Sequence, residues 1–120
     1  MTVDELIAQI KSQPDSVEFE DVIDCIDKYF DYTPTHFTNG HGHDTVMNQP
    51  GHNEGACKIF AFATIVGLNA AETLACFGKY YREDVLQHPE GTDHANIRTF
   101  MRHGWDGIHF EKSALVRHKD

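Results

Sequence analysis

The chain has 120 residues, 40% of them hydrophobic, which is enough for one core and too little for two. Nineteen Asp and Glu against ten Lys and Arg leave a formal charge of -9, which repels phosphate backbones and anionic lipid, so no nucleic acid and no membrane partner is expected. The longest apolar run, 59–66, is broken by Thr64 and falls short of the roughly 18 residues of a spanning helix, and the start Met-Thr-Val-Asp-Glu-Leu is not that of a secretory signal, so a cytoplasmic protein is expected.

Cys25, Cys57 and Cys76 are odd in number, widely spaced and without a CxxC pair, which argues against a disulfide framework and against a zinc ribbon. Cys25 and Cys76 sit in helical patterns with apolar neighbours and read as small buried hydrophobes.

Thr2-Val3-Asp4-Glu5 has the Thr-x-x-Glu form of a capping box, and Val3, Leu6, Ile7 and Ile10 follow at spacings of three and four, predicting a short amphipathic helix that Pro14 stops. Ser16 is placed to cap a second helix with a buried stripe of Phe19, Val22, Ile23, Ile26 and Phe30. Its other face, Glu18, Glu20, Asp21, Asp24 and Asp27, is solvated. Residues 32–38 are rich in Thr, Tyr and Phe with Pro34 near the start, predicting an edge strand that ends at the Asn39-Gly40 turn signal. From His41 to Asn53 no hydrophobic period is present, and Gly42, Pro50 and Gly51 predict a loop.

Ala56 to Val66 is apolar nearly all round, as a central helix packed on several sides would be, with Gly67 as its stop. Asn69 caps the next helix, with Glu72 in its first turn and Leu74, Phe77, Tyr81 and Val85 facing inward. Gly78 in its interior costs about 1 kcal/mol against Ala and signals close packing. After a turn at 88–91, Thr92 or Asp93 is placed to cap a last helix with Ile97, Phe100 and Met101 inward and His94, Arg98 and Arg102 on another side, ended by Gly104. Ile108 to Leu115 alternates briefly and is expected to pair antiparallel with the 32–38 strand. Trp105, Tyr80 and Tyr81 read as aromatics that close the core. The expected fold is α+β, mainly α: about five helices around a central apolar helix, with a small antiparallel β-ribbon, in one domain over 1–120.

Three stretches carry residue types suited to chemistry. His41, His43 and His52, with Asp44, put imidazoles and a carboxylate in one stretch, either an ordinary solvated loop or a weak divalent-metal site. Asn53-Glu54-Gly55-Ala56-Cys57-Lys58 opens the apolar helix where free N–H groups and the helix dipole favour an anion. In the functional reading Asn53, Glu54 and Lys58 line a site and Cys57 is a nucleophile whose thiol the helix start activates; in the structural reading Asn53 caps, Glu54 complements the dipole and Cys57 is buried. Gly91 to Arg98 displays Asp93, His94, Asn96 and Arg98 within two turns. Cys57, His94 and Asp93 are the residue types of a thiol triad, with His94 as base and Asp93 as orienter, though spacing alone does not bring them together.

At these same residues the chain resembles the HopJ type III effector family. The matching strings are Phe-Glu-Asp-Val from Phe19, Tyr-Thr-Pro-Thr and Phe-Thr-Asn-Gly between Tyr32 and Gly40, Asn-Glu-Gly-Ala-Cys-Lys-Ile-Phe-Ala-Phe-Ala from Asn53, Ala-Cys-Phe-Gly-Lys-Tyr-Tyr-Arg from Ala75, and the run from Gly91 to Phe110. The 41–52 stretch departs from the family's pattern in being longer and richer in His. The resemblance implies a small bacterial cytosolic protein that some plant pathogens deliver into host cells; it implies no reaction and no catalytic residues. The immediate entry into a helix, with no Ser-rich leader, favours a resident cytosolic role for this chain. The leading expectation is a non-enzymatic binding protein with one polar site, formed by Asn53, Glu54, Lys58, His94, Asn96 and Arg98, for a small anionic ligand or a protein partner segment. Its rivals are a thiol-dependent hydrolase or transferase using Cys57, and an effector acting inside a host.

Overall fold

A computed structural model describes residues 1–118. Helix α1 (Val3–Ser12) opens on the expected capping box, in which Thr2 Oγ1 accepts the Glu5 N–H at 3.1 Å and Glu5 Oε1 accepts the Thr2 N–H at 2.7 Å, and it buries Val3, Leu6 and Ile10. Pro14 begins a short 3-10 turn, Pro14–Ser16, and that turn takes Ser16 away from its expected capping role. The Ser16 hydroxyl donates to the Gln13 carbonyl and accepts from Gln9 instead, so α2 (Phe19–Tyr29) starts at Glu18 without a side-chain cap. Val22, Cys25 and Ile26 of α2 are buried, as is Phe30 just beyond it.

The strand expected at 32–38 is two strands interrupted at Pro34, which has no N–H to give a ladder. β1 (Phe30–Tyr32) pairs antiparallel with β5 (Leu115–Arg117), and β2 (Phe37–His41) pairs antiparallel with β4 (His109–Phe110). The C-terminal tail thus joins the ribbon in the expected direction but spreads over two sheets.

Two expectations fail here. Asn39-Gly40 is not a turn, because both residues lie inside β2, opposite Val46 and Thr45 of β3 (Asp44–Asn48). The stretch expected to be an unstructured loop supplies that strand, and the hairpin turns at Gly42-His43, with Gly42 at φ +56. Gly40 serves packing: a Cβ there would overlap the Asp44 carbonyl oxygen and come 2.8 Å from Thr99 Cγ2. The glycine is needed first by its own hairpin, through the Asp44 carbonyl, and second by Thr99 of a helix 59 residues further along the chain.

Helix α3 (Glu54–Val66) runs through the core and ends, as expected, on a left-handed Gly67. At its centre Phe60 packs its ring 5.0 Å from Phe100, 5.6 Å from Phe77 and 6.0 Å from Phe37, centroid to centroid. Burying side chains of this size contributes roughly 1.5–3 kcal/mol each, which makes the α3 aromatic cluster the main apolar support of the fold. Trp105 closes the cluster and donates its indole N–H to the Leu68 carbonyl at 3.2 Å.

Asn69 and Glu72 form a second capping box for α4 (Ala70–Ala75). The helix expected to continue to Val85 breaks at Gly78, which takes φ +59; a Cβ there would lie 2.7 Å from the Phe19 backbone nitrogen. Close packing is confirmed, and it ends the helix rather than crossing its interior. A π-helical turn, Tyr80–Val85, follows. Helix α5 (Ala95–His103) is capped by neither Thr92 nor Asp93; its N-cap is His94. Ile97 and Phe100 are buried, whereas Met101, expected inward, is 43% exposed. The architecture is α+β, mainly α, with five α-helices and small antiparallel sheets among the described residues.

Candidate functional site

The starts of α3 and α5 meet. Asn53, His94 and Asn96 line one cavity of about 340 Å³, together with Phe19, Val46, Ala56, Phe77, Tyr80, Ala95 and Ile97. Asn53 (φ 54, ψ 45) and His94 (φ 52, ψ 50) are the N-caps of the two helices, and among the described residues they are the two non-glycine positions with positive φ. Left-handed backbone at a side-chain-bearing residue costs of order 1–3 kcal/mol and persists only where the surroundings enforce it. Neither helix start has a side-chain cap, and the first intrahelical donors are Cys57 N–H to Asn53 O (3.0 Å) and Arg98 N–H to His94 O (3.1 Å). The N–H groups of residues 54–56 and 95–97 therefore have no partner in their own helices.

Between the two helix starts runs a largely buried amide network that no sequence pattern announced. Asn48, at the end of β3, accepts from Asn53 Nδ2 and from Asn96 Nδ2, each at 2.8 Å, and donates to Asn96 Oδ1 at 3.2 Å. Asn39 donates from Nδ2 to Asn96 O at 2.9 Å and to Asn96 Oδ1 at 3.1 Å. Asn39, Asn48 and Asn96 are all buried. Asn39 and Asn48 look like ordinary turn residues in sequence, and only β pairing turns both toward α5.

The remaining candidates stand elsewhere. Lys58 Nζ bonds Asp27 Oδ1 at 2.8 Å and lies over the Tyr32 ring. Glu54 is exposed, and burial first, with the nearby Glu54 carboxylate, pushes the ionisation of the Tyr32 hydroxyl well above the ordinary tyrosine range. Arg98 is buried and clasps the 84–93 segment: it donates to Asp93 O (2.7 Å), His88 O (2.9 Å), Asp84 O (3.3 Å) and Asp93 Oδ1 (2.7 Å). Gly91 makes room for this clasp, since a Cβ there would stand 2.5 Å from Arg98 Nη2.

His94 and Asp93 lie near one another, 3.8 Å between Nε2 and Oδ2, but each has a nearer partner, and Cys57 has others. His94 Nε2 is 3.0 Å from Asp84 Oδ2, while Asp93 is bound by Arg98, which lowers its carboxyl pKa. Cys57 is buried beside Tyr32 and the Thr35 backbone, and desolvation raises its thiol despite the nearby helix start. Desolvation raises Cys25 as well and pushes Cys76 up to about 12. Iodoacetamide at neutral pH is therefore expected to alkylate Cys57 no faster than a buried thiol, with mass spectrometry giving slow labelling at all three cysteines; rapid labelling at Cys57 alone would revive the nucleophile reading.

His41 stacks edge-on against His103 at 5.1 Å, His43 sits in the hairpin turn and His52 is exposed in the turn before α3. Among the described residues, no group of three or more His, Cys, Asp or Glu is placed to hold a metal ion. The stretch instead contributes Asp44, which locks the hairpin to the end of α5: it accepts from Arg102 Nε (2.7 Å) and Nη2 (2.8 Å) and lies 2.6 Å from His103 Nε2. Bonding to Arg102 and then His103 lowers the Asp44 pKa to about 2. An unfolded Asp titrates at about 3.9, so the unfolded state binds the proton first. The stability this lock supplies is present above about pH 4 and lost as pH falls through 2. Urea midpoints for the native chain and Asp44→Asn should accordingly differ at pH 6 and converge toward pH 2; a gap that persists at pH 2 would assign the effect to something other than the Asp44 charge.

The sequence matches the model of the family described as HopJ type III effector protein over residues 3–115. The chain belongs to the HopJ family. The HopJ chain is also similar to a protein whose crystal structure is described as that of the unknown function protein VPA0580: 47% identity, TM-score 0.93, covering 98% of this chain and 95% of that one. A comparison with curated proteins returned no match. In this HopJ protein the strings from Phe19, Asn53 and Gly91, which carry the sequence resemblance, are those that furnish Phe19, Asn53, His94 and Asn96 to the cavity. Among the described residues, no helix is long and apolar enough to cross a membrane.

Proposed function

We propose that this HopJ protein is a small, non-enzymatic binding protein whose site is the cavity between the α3 and α5 starts, and that it holds the anionic group of a small ligand or of a partner segment. The observation that supports this reading is the convergence of two uncapped helix starts, both with left-handed N-caps, on one cavity. Backbone N–H groups and the positive ends of two helix dipoles favour a carboxylate or phosphate there. The volume of about 340 Å³ suits a small molecule or one or two residues of a peptide. Phe19, Phe77 and Tyr80 offer an apolar wall for the body of the ligand, and the Asn53 and Asn96 amides give it orientation. Among the described residues no Lys or Arg lines the walls, so selectivity rests on hydrogen-bond geometry more than on net charge.

The test is an amide-shift NMR screen against phosphorylated metabolites, nucleotides, short peptides and divalent metals. Shifts clustering at residues 53–56 and 94–97 are expected. Shifts confined to His41, His43 and His52, and seen only with metals, would overturn the reading and move binding to the hairpin.

The family description supports a second statement about where the site acts. If this member is delivered by a type III system, its first residues will carry a fused reporter into a host cell and the ligand is a host molecule. A reporter retained in the producing cell assigns the site to a resident cytoplasmic role.

A further inference from the structure

We infer that the cavity takes up its anion together with one proton, carried on His94 between the bound anion and the Asp84 carboxylate. This inference rests on the proposed binding site and adds its pH dependence. Of the described side chains lining the cavity, His94 is the one whose class changes charge between pH 5 and 8; the others are Asn, Phe, Tyr, Ala, Val and Ile.

Its setting makes that change consequential. His94 Nε2 stands 3.0 Å from Asp84 Oδ2 and 3.8 Å from Asp93 Oδ2. Asp93 is already neutralised by Arg98 at 2.7 Å, whereas His94 is the side-chain partner of Asp84 among the described residues. The ring lies 5.2 Å from that of Tyr80 at 35°, and the left-handed N-cap fixes it at the cavity wall with about a quarter of the side chain exposed. The other elements packed around it present uncharged groups to the cavity: Phe19 from α2, Val46 from β3, and Asn53 and Ala56 from the α3 start.

With the imidazole neutral, an arriving anion meets the uncompensated charge of Asp84. With the imidazole protonated, the His94–Asp84 pair is neutral overall, and the ring carries a second N–H donor beyond the one facing Asp84. The anion and the proton therefore favour each other's binding, and the coupling is reciprocal. A single coupled proton changes the anion's affinity by at most about tenfold per pH unit.

Sulfate, whose charge is constant across this range, is the probe. Its binding is followed by the amide shifts of Ala56, Ala95 and Asn96 at pH 5.5 and 7.5, alongside the titration of the His94 ring with and without sulfate. The expected results are an affinity several-fold weaker at pH 7.5 than at pH 5.5 and a ring titration moved upward by sulfate. His94→Gln should bind weakly and equally at both pH values, and Asp84→Asn, which leaves the Asp84 carbonyl for Arg98, should bind more tightly than the native chain at pH 7.5. Equal affinity at both pH values, or a pH dependence that survives in His94→Gln, overturns the proton coupling and leaves the anion site standing. No shift at these amides at pH 5.5 removes the anion site itself and the proposed function with it.

Discussion

Replacing Asn48 with Ala is expected to cost about 3 kcal/mol of folding stability and to separate the two helix starts. The estimate follows from what the side chain does: it accepts two amide N–H groups at 2.8 Å and donates to Asn96 Oδ1, the two contacts to Asn96 being buried and the one to Asn53 partly so. A net hydrogen bond contributes about 1 kcal/mol, and each buried partner left unsatisfied costs a further 1–3, offset here because Asn53 is exposed and can turn to solvent. Urea unfolding measures the loss. Asn48→Asp separates bonding from shape, since it keeps both acceptor contacts but sets a carboxylate against Asn96 Oδ1. A loss below 1 kcal/mol in Asn48→Ala would mean that the left-handed N-caps are held by something other than this network. Binding at residues 53–56 and 94–97 should fall with it, because the cavity depends on both helix starts staying together.

Arg98→Ala is the second large effect, at roughly 2–4 kcal/mol. Its guanidinium is buried and bonds three backbone carbonyls of the 84–93 segment, so its removal leaves acceptors without donors in a part of the chain with little regular structure. The exposed Asp93 carboxylate adds little by comparison. Arg98→Lys should recover less than half of the loss, because a single ammonium cannot reproduce the planar fork that reaches Asp84, His88 and Asp93 together. Hydrogen exchange in 84–93 should quicken while that in α3 is unchanged; equal quickening in both would indicate a global loss instead. The sequence marked Arg98 as a ligand contact, and the same feature that drew attention to it, a cation in a polar string, is here spent on positioning Asp84 and the turn before His94.

Much of the fold is legible because it is written in short-range physics. The capping boxes at Thr2 and Asn69 satisfy N–H groups three residues away, the stripes of α1 and α2 follow the helical period, and the apolar run of α3 ends on Gly67 because a left-handed residue is needed there. From such signals the sequence alone determined the mainly helical α+β class, the central helix and the antiparallel tail. It misplaced the hairpin turn, the cap of α5, the outward Met101 and the break at Gly78; at two of these places distant atoms crowd the glycine, Thr99 at Gly40 beside the nearer Asp44 carbonyl, and the Phe19 backbone at Gly78. The site divides in the same way. Asn53, His94 and Asn96 were visible as polar residues at helix starts, but that they face one another, while Lys58 turns to Asp27 and Cys57 to Tyr32, was decided by tertiary structure. Asn39 and Asn48 bond Asn96 across 57 and 48 residues of chain, and a contact of that span leaves no period in the sequence because its energy is realised only when β2, β3 and α5 are packed together.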